Sequence, residues 1–226
     1  MRGWIVGALV FGLWARPAQA AVVINEVLAD PPAVGGDANG DGVINSLQDE
    51  FVELANTGAQ PVSLMNWTLA DAVQVRHTFT SAIALPAYSL FVIFGGGTPS
   101  AALPAIRAST GTLSLNNTGD TVILRDGEGN LIDLITYGGE GGHDASLTRN
   151  PDGLGSFVRH DELNGLHFSA GTTVDGRFRL PAGDERQTQD QDPPPASPTA
   201  PEPASLILAA LGFGLIRRRA LGNVVG

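Results

Sequence analysis

The chain contains no cysteine and no lysine, and all 13 of its basic residues are Arg. Without cysteine there is no disulfide framework and no thiolate site for zinc or an iron–sulfur cluster, so stability must come from core packing or bound ions. Positive charge is scarce as well. Residues 21–203 carry 8 Arg against 23 Asp and Glu, a net of −15, and such a surface repels nucleic acid. Aromatic residues make up only 6% of the chain, and no helical stripe of useful length is present. What is abundant is turn chemistry. The 29 Gly, with Asn, Asp and Pro scattered between short apolar runs, point to a many-turned β protein.

The two ends read as addresses. Arg2 precedes the apolar stretch 5–15, and Ala18-Gln19-Ala20 supplies the small-x-small pattern of a signal peptidase site. Residues 1–20 are therefore expected to be a signal peptide cut before Ala21; the stretch is short for an uncleaved span. At the other end Pro201-Glu202-Pro203 leads into the apolar run 204–216, followed by Arg217, Arg218 and Arg219. The three Arg are expected to hold that end in the cytoplasm, leaving a short transmembrane helix that is marginal for a bilayer. Residues 201–220 resemble the PEP-CTERM sorting signal. That resemblance implies processing by an exosortase-type membrane enzyme, a Gram-negative-type bacterium, and delivery to the cell surface or an extracellular matrix. A plain tail anchor is the alternative. Residues 181–200, rich in Pro, Gln and Asp, cannot bury enough surface to offset ordering entropy and are expected to form a disordered linker.

Between these segments, residues 21–180 hold β-prone runs at 22–27, 50–54, 67–70, 74–79, 89–94, 121–125 and 131–137. Val122 and Leu124 alternate with Thr121, Ile123 and Arg125, as on a strand with one buried face. Asp126-Gly127-Glu128-Gly129-Asn130 reads as a hairpin loop. Roughly seven strands imply a two-sheet sandwich with sizeable loops.

The strongest local chemistry is Asp37-Ala38-Asn39-Gly40-Asp41-Gly42-Val43-Ile44-Asn45. Its oxygens fall at loop positions one, three, five and nine, with Gly at six and the Val43 carbonyl at seven, the spacing a hard cation such as Ca²⁺ selects. Position twelve departs from that pattern: Gln48 stands there, with Asp49 and Glu50 behind it, so Asp49 or Glu50 is expected to complete the set. A solvated turn without metal is the alternative. The loop also resembles the Ca²⁺ loop of dockerin repeats, but it occurs once and without a helix pair. His77, His143, His160 and His167 have no metal spacing. Ser146, His143 and Asp144 could be drawn as a triad, yet no nucleophile elbow surrounds the Ser. Asp120, Asp126 and Asp133 could pair as glycosidase acids, but they are explained as turn and strand-end residues.

The runs 23–27 (Val-Ile-Asn-Glu-Val), 49–56 (Asp-Glu-Phe-Val-Glu-Leu-Ala-Asn) and 67–71 (Trp-Thr-Leu-Ala-Asp) resemble the opening of a bacterial lamin tail domain. The stretch 115–124 resembles the family's Asn-x-Gly-Asp turn and buried strand, and 146–153 its closing segment. The resemblance implies an all-β, immunoglobulin-like β-sandwich used for binding or for fixing a protein in place, with no catalytic residues. The expected function is a non-enzymatic binding or scaffolding module of the cell surface or matrix. Its partners would be signal peptidase, the exosortase-type enzyme, and an extracellular polysaccharide or surface protein. The rivals are an accessory glycan-binding domain and a small secreted hydrolase or nuclease.

Overall fold

The computed structural model describes residues 22–182. Ala18, Ala20 and Ala21 of the leader, nearly all of the linker, and the C-terminal segment with Pro201, Glu202, Pro203, Arg217, Arg218 and Arg219 lie outside the described residues. Among the described residues no helix is long and apolar enough to cross a membrane.

Twelve strands are present in the described chain: β1 Val22–Leu28, β2 Phe51–Asn56, β3 Val62–Ser63, β4 Thr68–Ala70, β5 Val75–Thr78, β6 Ala84–Leu85, β7 Ser89–Phe94, β8 Ala105–Arg107, β9 Asp120–Arg125, β10 Leu131–Tyr137, β11 Leu147–Asn150 and β12 Ser156–Arg159. A single helical turn, α1, follows at Asp161–Asn164. One sheet has the order β12-β11-β1-β2-β7-β8, a second β10-β9-β4-β5, and β3 pairs with β6. Every pairing is antiparallel except β7 with β8. The expected runs all became strands. Of the additional ones, β3, β6 and β8 are only two or three residues long, too short to show a period, and β11 and β12 have four each.

The core between the sheets takes Ile24, Val27, Val52, Leu54 and Ile93 from the larger sheet, and Leu69, Val122, Leu124 and Ile135 from the smaller. On β9 the expected alternation holds, with Val122 and Leu124 buried and Arg125 exposed. Asp126 closes the hairpin beyond it: its Oδ1 accepts from the N–H groups of Glu128 and Asn130 at 2.9 Å each.

β1 and β2 are buried at every position, on both faces. A bulge explains how β1 serves both. Ile24 pairs with Leu54 but Glu26 pairs with Glu53, so Asn25 is the extra residue. The parity shift keeps Ile24 and Val27 in the inter-sheet core and turns Glu26 to the outer face. That outer face is roofed over. Phe51 and Phe94 meet edge to face at 5.6 Å, and Phe168 from the C-terminal segment covers Phe51 at 6.1 Å. Burying each such ring is worth roughly 1.5–3 kcal/mol. At one end, Val23, Ala55, Leu90 and Leu180 pack together, and the Leu180 N–H donates to the Tyr88 carbonyl at 3.0 Å.

Candidate functional site

The acidic loop joins β1 to β2. The Asp37 carboxylate accepts from the N–H of Asp41 at 3.1 Å and of Gly42 at 2.9 Å. Asn39 Oδ1 accepts from Asp41 N at 2.9 Å, and Asp41 accepts from Val43 N and Thr98 N. Asp49 reaches back into the loop, accepting from Asn39 N at 3.1 Å and Asn45 N at 2.7 Å. Burial raises the Asp49 pKa above its ordinary value, and the negative charges of Asp37 and Asp41 add to the effect. Gly42 sits at φ +89°, the left-handed turn expected at the sixth position. Gly97 closes the loop from the other side. A Cβ there would lie 2.5 Å from both Asp41 Oδ2 and Asn39 Nδ2.

The structure thus brings Asp37, Asn39, Asp41 and Asp49 together with the exposed Val43, but not Glu50. Successive residues entering a strand point to opposite faces. Glu50 is buried on the other side, where its Oε2 accepts from Leu115 N at 3.3 Å, and burial lifts its pKa to about 8. Of the two acids, Asp49 turns into the loop and Glu50 turns away from it. The loop oxygens engage backbone N–H groups, and among the described residues no three carboxylate or histidine side chains are gathered closely enough to hold a metal ion.

The remaining candidates are committed to structure. Asp120 accepts from the N–H groups of Ala72, Thr121 and Asn116, and Asp133 accepts from Ile24 N at 2.9 Å and Arg149 at 3.1 Å. Ser146 Oγ is buried and bonded to Glu26 Oε1 and the His167 carbonyl, whereas His143 is exposed, so the paper triad does not assemble. His77 packs edge to face on Phe79 at 4.4 Å. Its Nδ1 accepts from Ser109 N at 3.0 Å, and burial draws its pKa down to about 4, so the ring is neutral with its proton on Nε2.

Sequence reasoning missed a buried polar row on the outer face of the larger sheet. Glu26 and Glu53 face each other across β1 and β2, both fully buried. Asn25 Nδ2 donates to Glu53 Oε1 at 2.9 Å and to Asp152 Oδ1 at 3.0 Å, while its Oδ1 accepts from Gly153 N at 2.6 Å. Thr148 pairs with Glu26 in register, and His160, also buried, bonds through its backbone to Ser146. The available signal was an acid set inside an otherwise apolar buried run, Phe51-Val52-Glu53-Leu54, matched by Asn25-Glu26 inside Val23 to Val27.

A family model for the lamin tail domain matches residues 15–139, more than half of the chain. The chain belongs to the lamin tail domain family. No curated protein matches it. The match takes in β1 to β10, with the Asn25-Glu26 bulge and Glu53 inside it. β11, β12 and the covering segment lie beyond it, yet β11 pairs directly with β1, so in this lamin tail domain protein the sheet continues past the matched region.

Proposed function

We propose that the chain is an exported, non-catalytic binding or scaffolding module of a cell surface or extracellular matrix, sorted by an exosortase-type system. The observation that carries the reading is positional: β1, the first strand of a lamin tail domain, begins at Val22, directly behind the small-residue pattern ending at Ala20. The polar side chains Ser146, His77, Asp120 and Asp133 are each tied into hydrogen bonds that hold loops and strands. Mass spectrometry of the protein recovered from the cell surface is expected to give Ala21 as its first residue. Recovery of chains that begin at Met1 from the surface fraction would sink the export reading.

Calcium is part of the proposal, as a structural ion held by Asp37, Asn39, Asp41, the Val43 carbonyl and Asp49. What supports it is the ligand-type spacing from Asp37 to Asp49 on one loop, whose oxygens would exchange their backbone N–H donors for the ion. A ligand bound only to the native state at a hundredfold excess over Kd adds about 2.7 kcal/mol, or a melting shift of about 5 °C or more for a domain of this size. Millimolar Ca²⁺ against EDTA is the measurement, run beside an Asp37→Ala, Asp41→Ala double variant, which should show no shift. No shift in the wild type, or the same shift in both, removes calcium from the reading.

A second reading, a glycan-binding accessory domain, is favoured by one feature. An open cavity of about 510 Å³ is lined by Leu90, Phe91, Pro104, Phe178 and Arg179, and the Phe178 ring is 69% exposed beside the Arg. An exposed aromatic face next to a guanidinium suits a sugar ring and its polar substituents. Capture of polysaccharide by the wild type and not by Phe178→Ala would favour this reading over a protein-binding scaffold.

A further inference from the structure

We propose that residues 161–176 form a strap whose closure over the larger sheet is gated by the protonation of the Glu26–Glu53 pair, so that the strap lifts as pH rises. The strap is held down through carboxylate oxygens. Ser169 donates to Glu26 twice, from its N–H at 2.9 Å and its Oγ at 2.7 Å, and Gly171 N donates to Glu53 Oε2 at 2.7 Å. Val174 N donates to Asp152 Oδ2 at 3.1 Å, and the His167 carbonyl accepts from Ser146 N at 2.8 Å.

The partners decide where a proton sits. Both Glu53 oxygens face N–H donors, Asn25 Nδ2 and Gly171 N, which have no lone pair to offer, so Glu53 is the ionised member. Glu26 faces two hydroxyls, Ser146 Oγ and Ser169 Oγ, either of which can accept. Ser146 Oγ also lies 3.3 Å from the His167 carbonyl, so a proton on Glu26 can be passed to Ser146 Oγ while that hydroxyl donates onward. One proton on Glu26, passed to Ser146 Oγ, satisfies every donor of the pair. Removing it leaves two buried negative charges side by side.

One nearby side chain, His160, works against this by lowering the Glu26 pKa, but less than burial raises it. Asp152 adds negative charge from the turn before β12, with Asp175 behind it. The His160 ring lies on this face of β11–β12, and its Nδ1 contacts the Leu166 carbonyl. Arg159 is held by Asp161 and Glu162, Arg177 by Asp175, and Arg149 by Asp133 on the far side. Thr148 Oγ1 and His160 Nε2, on the same face, have no hydrogen-bond partner among the described residues, so the row is not closed on its β11–β12 side. Burial raises the pKa of both Glu26 and Glu53, which agrees with a native state that keeps the shared proton. The sign follows. Closure is complete while the proton is bound and is lost as pH rises through the pair's titration.

Amide hydrogen exchange of the mature chain, corrected for intrinsic rates, tests this at about pH 6 and about pH 9. While the closed pair holds a proton that the opened pair releases, the strap's opening constant rises about tenfold per pH unit, and it levels off once pH passes the closed pair's titration. Amides of Ser169, Gly171 and Val174 are expected to lose more protection than those of β2 and β7, whose smaller loss reports the fall in global stability as Glu50 ionises. Glu26→Gln removes the titrating group. Its amide can donate to Ser146 Oγ and accept from Ser169 Oγ while giving up the Ser169 N–H bond. The variant should abolish the pH response with Gly171 and Val174 still holding the strap. Uniform or absent loss of protection in the wild type, or an unchanged response in Glu26→Gln, overturns the proposal. If that variant fails to fold, the wild-type comparison of strap with β2 still decides it.

Discussion

Replacing Asn25 by Ala is expected to destabilise the domain by about 3–5 kcal/mol, because three buried groups lose a partner at once and each unsatisfied group costs roughly 1–3 kcal/mol. Gly153 N loses its acceptor, and Glu53 and Asp152 each lose a donor. Asn25 is also the bulged residue that turns Glu26 outward while leaving Ile24 and Val27 in the core. Urea unfolding of wild type and variant measures the loss. Asn130→Ala, in the exposed hairpin, is the control and should change stability by no more than about 0.5 kcal/mol. A loss for Asn25→Ala as small as that control would mean the row relaxes freely and holds nothing in place.

Stability should also fall on the alkaline side because of Glu50. Its folded pKa lies at about 8 against an ordinary 4.5, raised by burial, so the folded state holds the proton more tightly than the unfolded chain. The stabilising effect is fully present below pH 4.5 and is lost as pH rises through about 8, with an upper bound of about 5 kcal/mol. His77 works in the opposite sense. With its pKa lowered from 6.5 to about 4, it favours the folded state above pH 6.5 and withdraws that support as pH falls through 4. Melting temperature against pH should therefore pass through a maximum. Glu50→Gln, which can still accept from Leu115 N, is expected to melt well above the wild type at about pH 9 and close to it at about pH 6. Coincident curves for the two proteins at pH 9 would show that the Glu50 carboxylate finds water when ionised.

The all-β class was readable because the long strands carry their own evidence: alternation in β9, and turn residues from Asp126 to Asn130 that fix a hairpin locally. The acidic loop was readable for the same reason, since its ligand-type spacing lies within 13 residues, from Asp37 to Asp49. What could not be read depends on distant chain. Asn25 meets Asp152 and Gly153 more than 120 residues away, and Glu26 meets Ser169 after 143. A bulge shifts side-chain parity by one residue, so Glu26 and Glu53 looked like ordinary strand positions. The preference for Asp49 over Glu50 was invisible because it turns on which face each side chain takes on entering β2.

Val23 and Leu180 share one small apolar cluster, so the chain enters and leaves this domain at a single pole. β1 then runs seven residues, about 23 Å at ~3.3 Å each, before the acidic loop begins. The module is therefore a pendant rather than a link in a line. The domain could replace a surface loop of a host protein without stretching it, the geometry that makes domain insertion tolerable. The same arrangement points Asp37, Asp41 and their neighbours away from the attachment, at the pole free to meet whatever lies beyond.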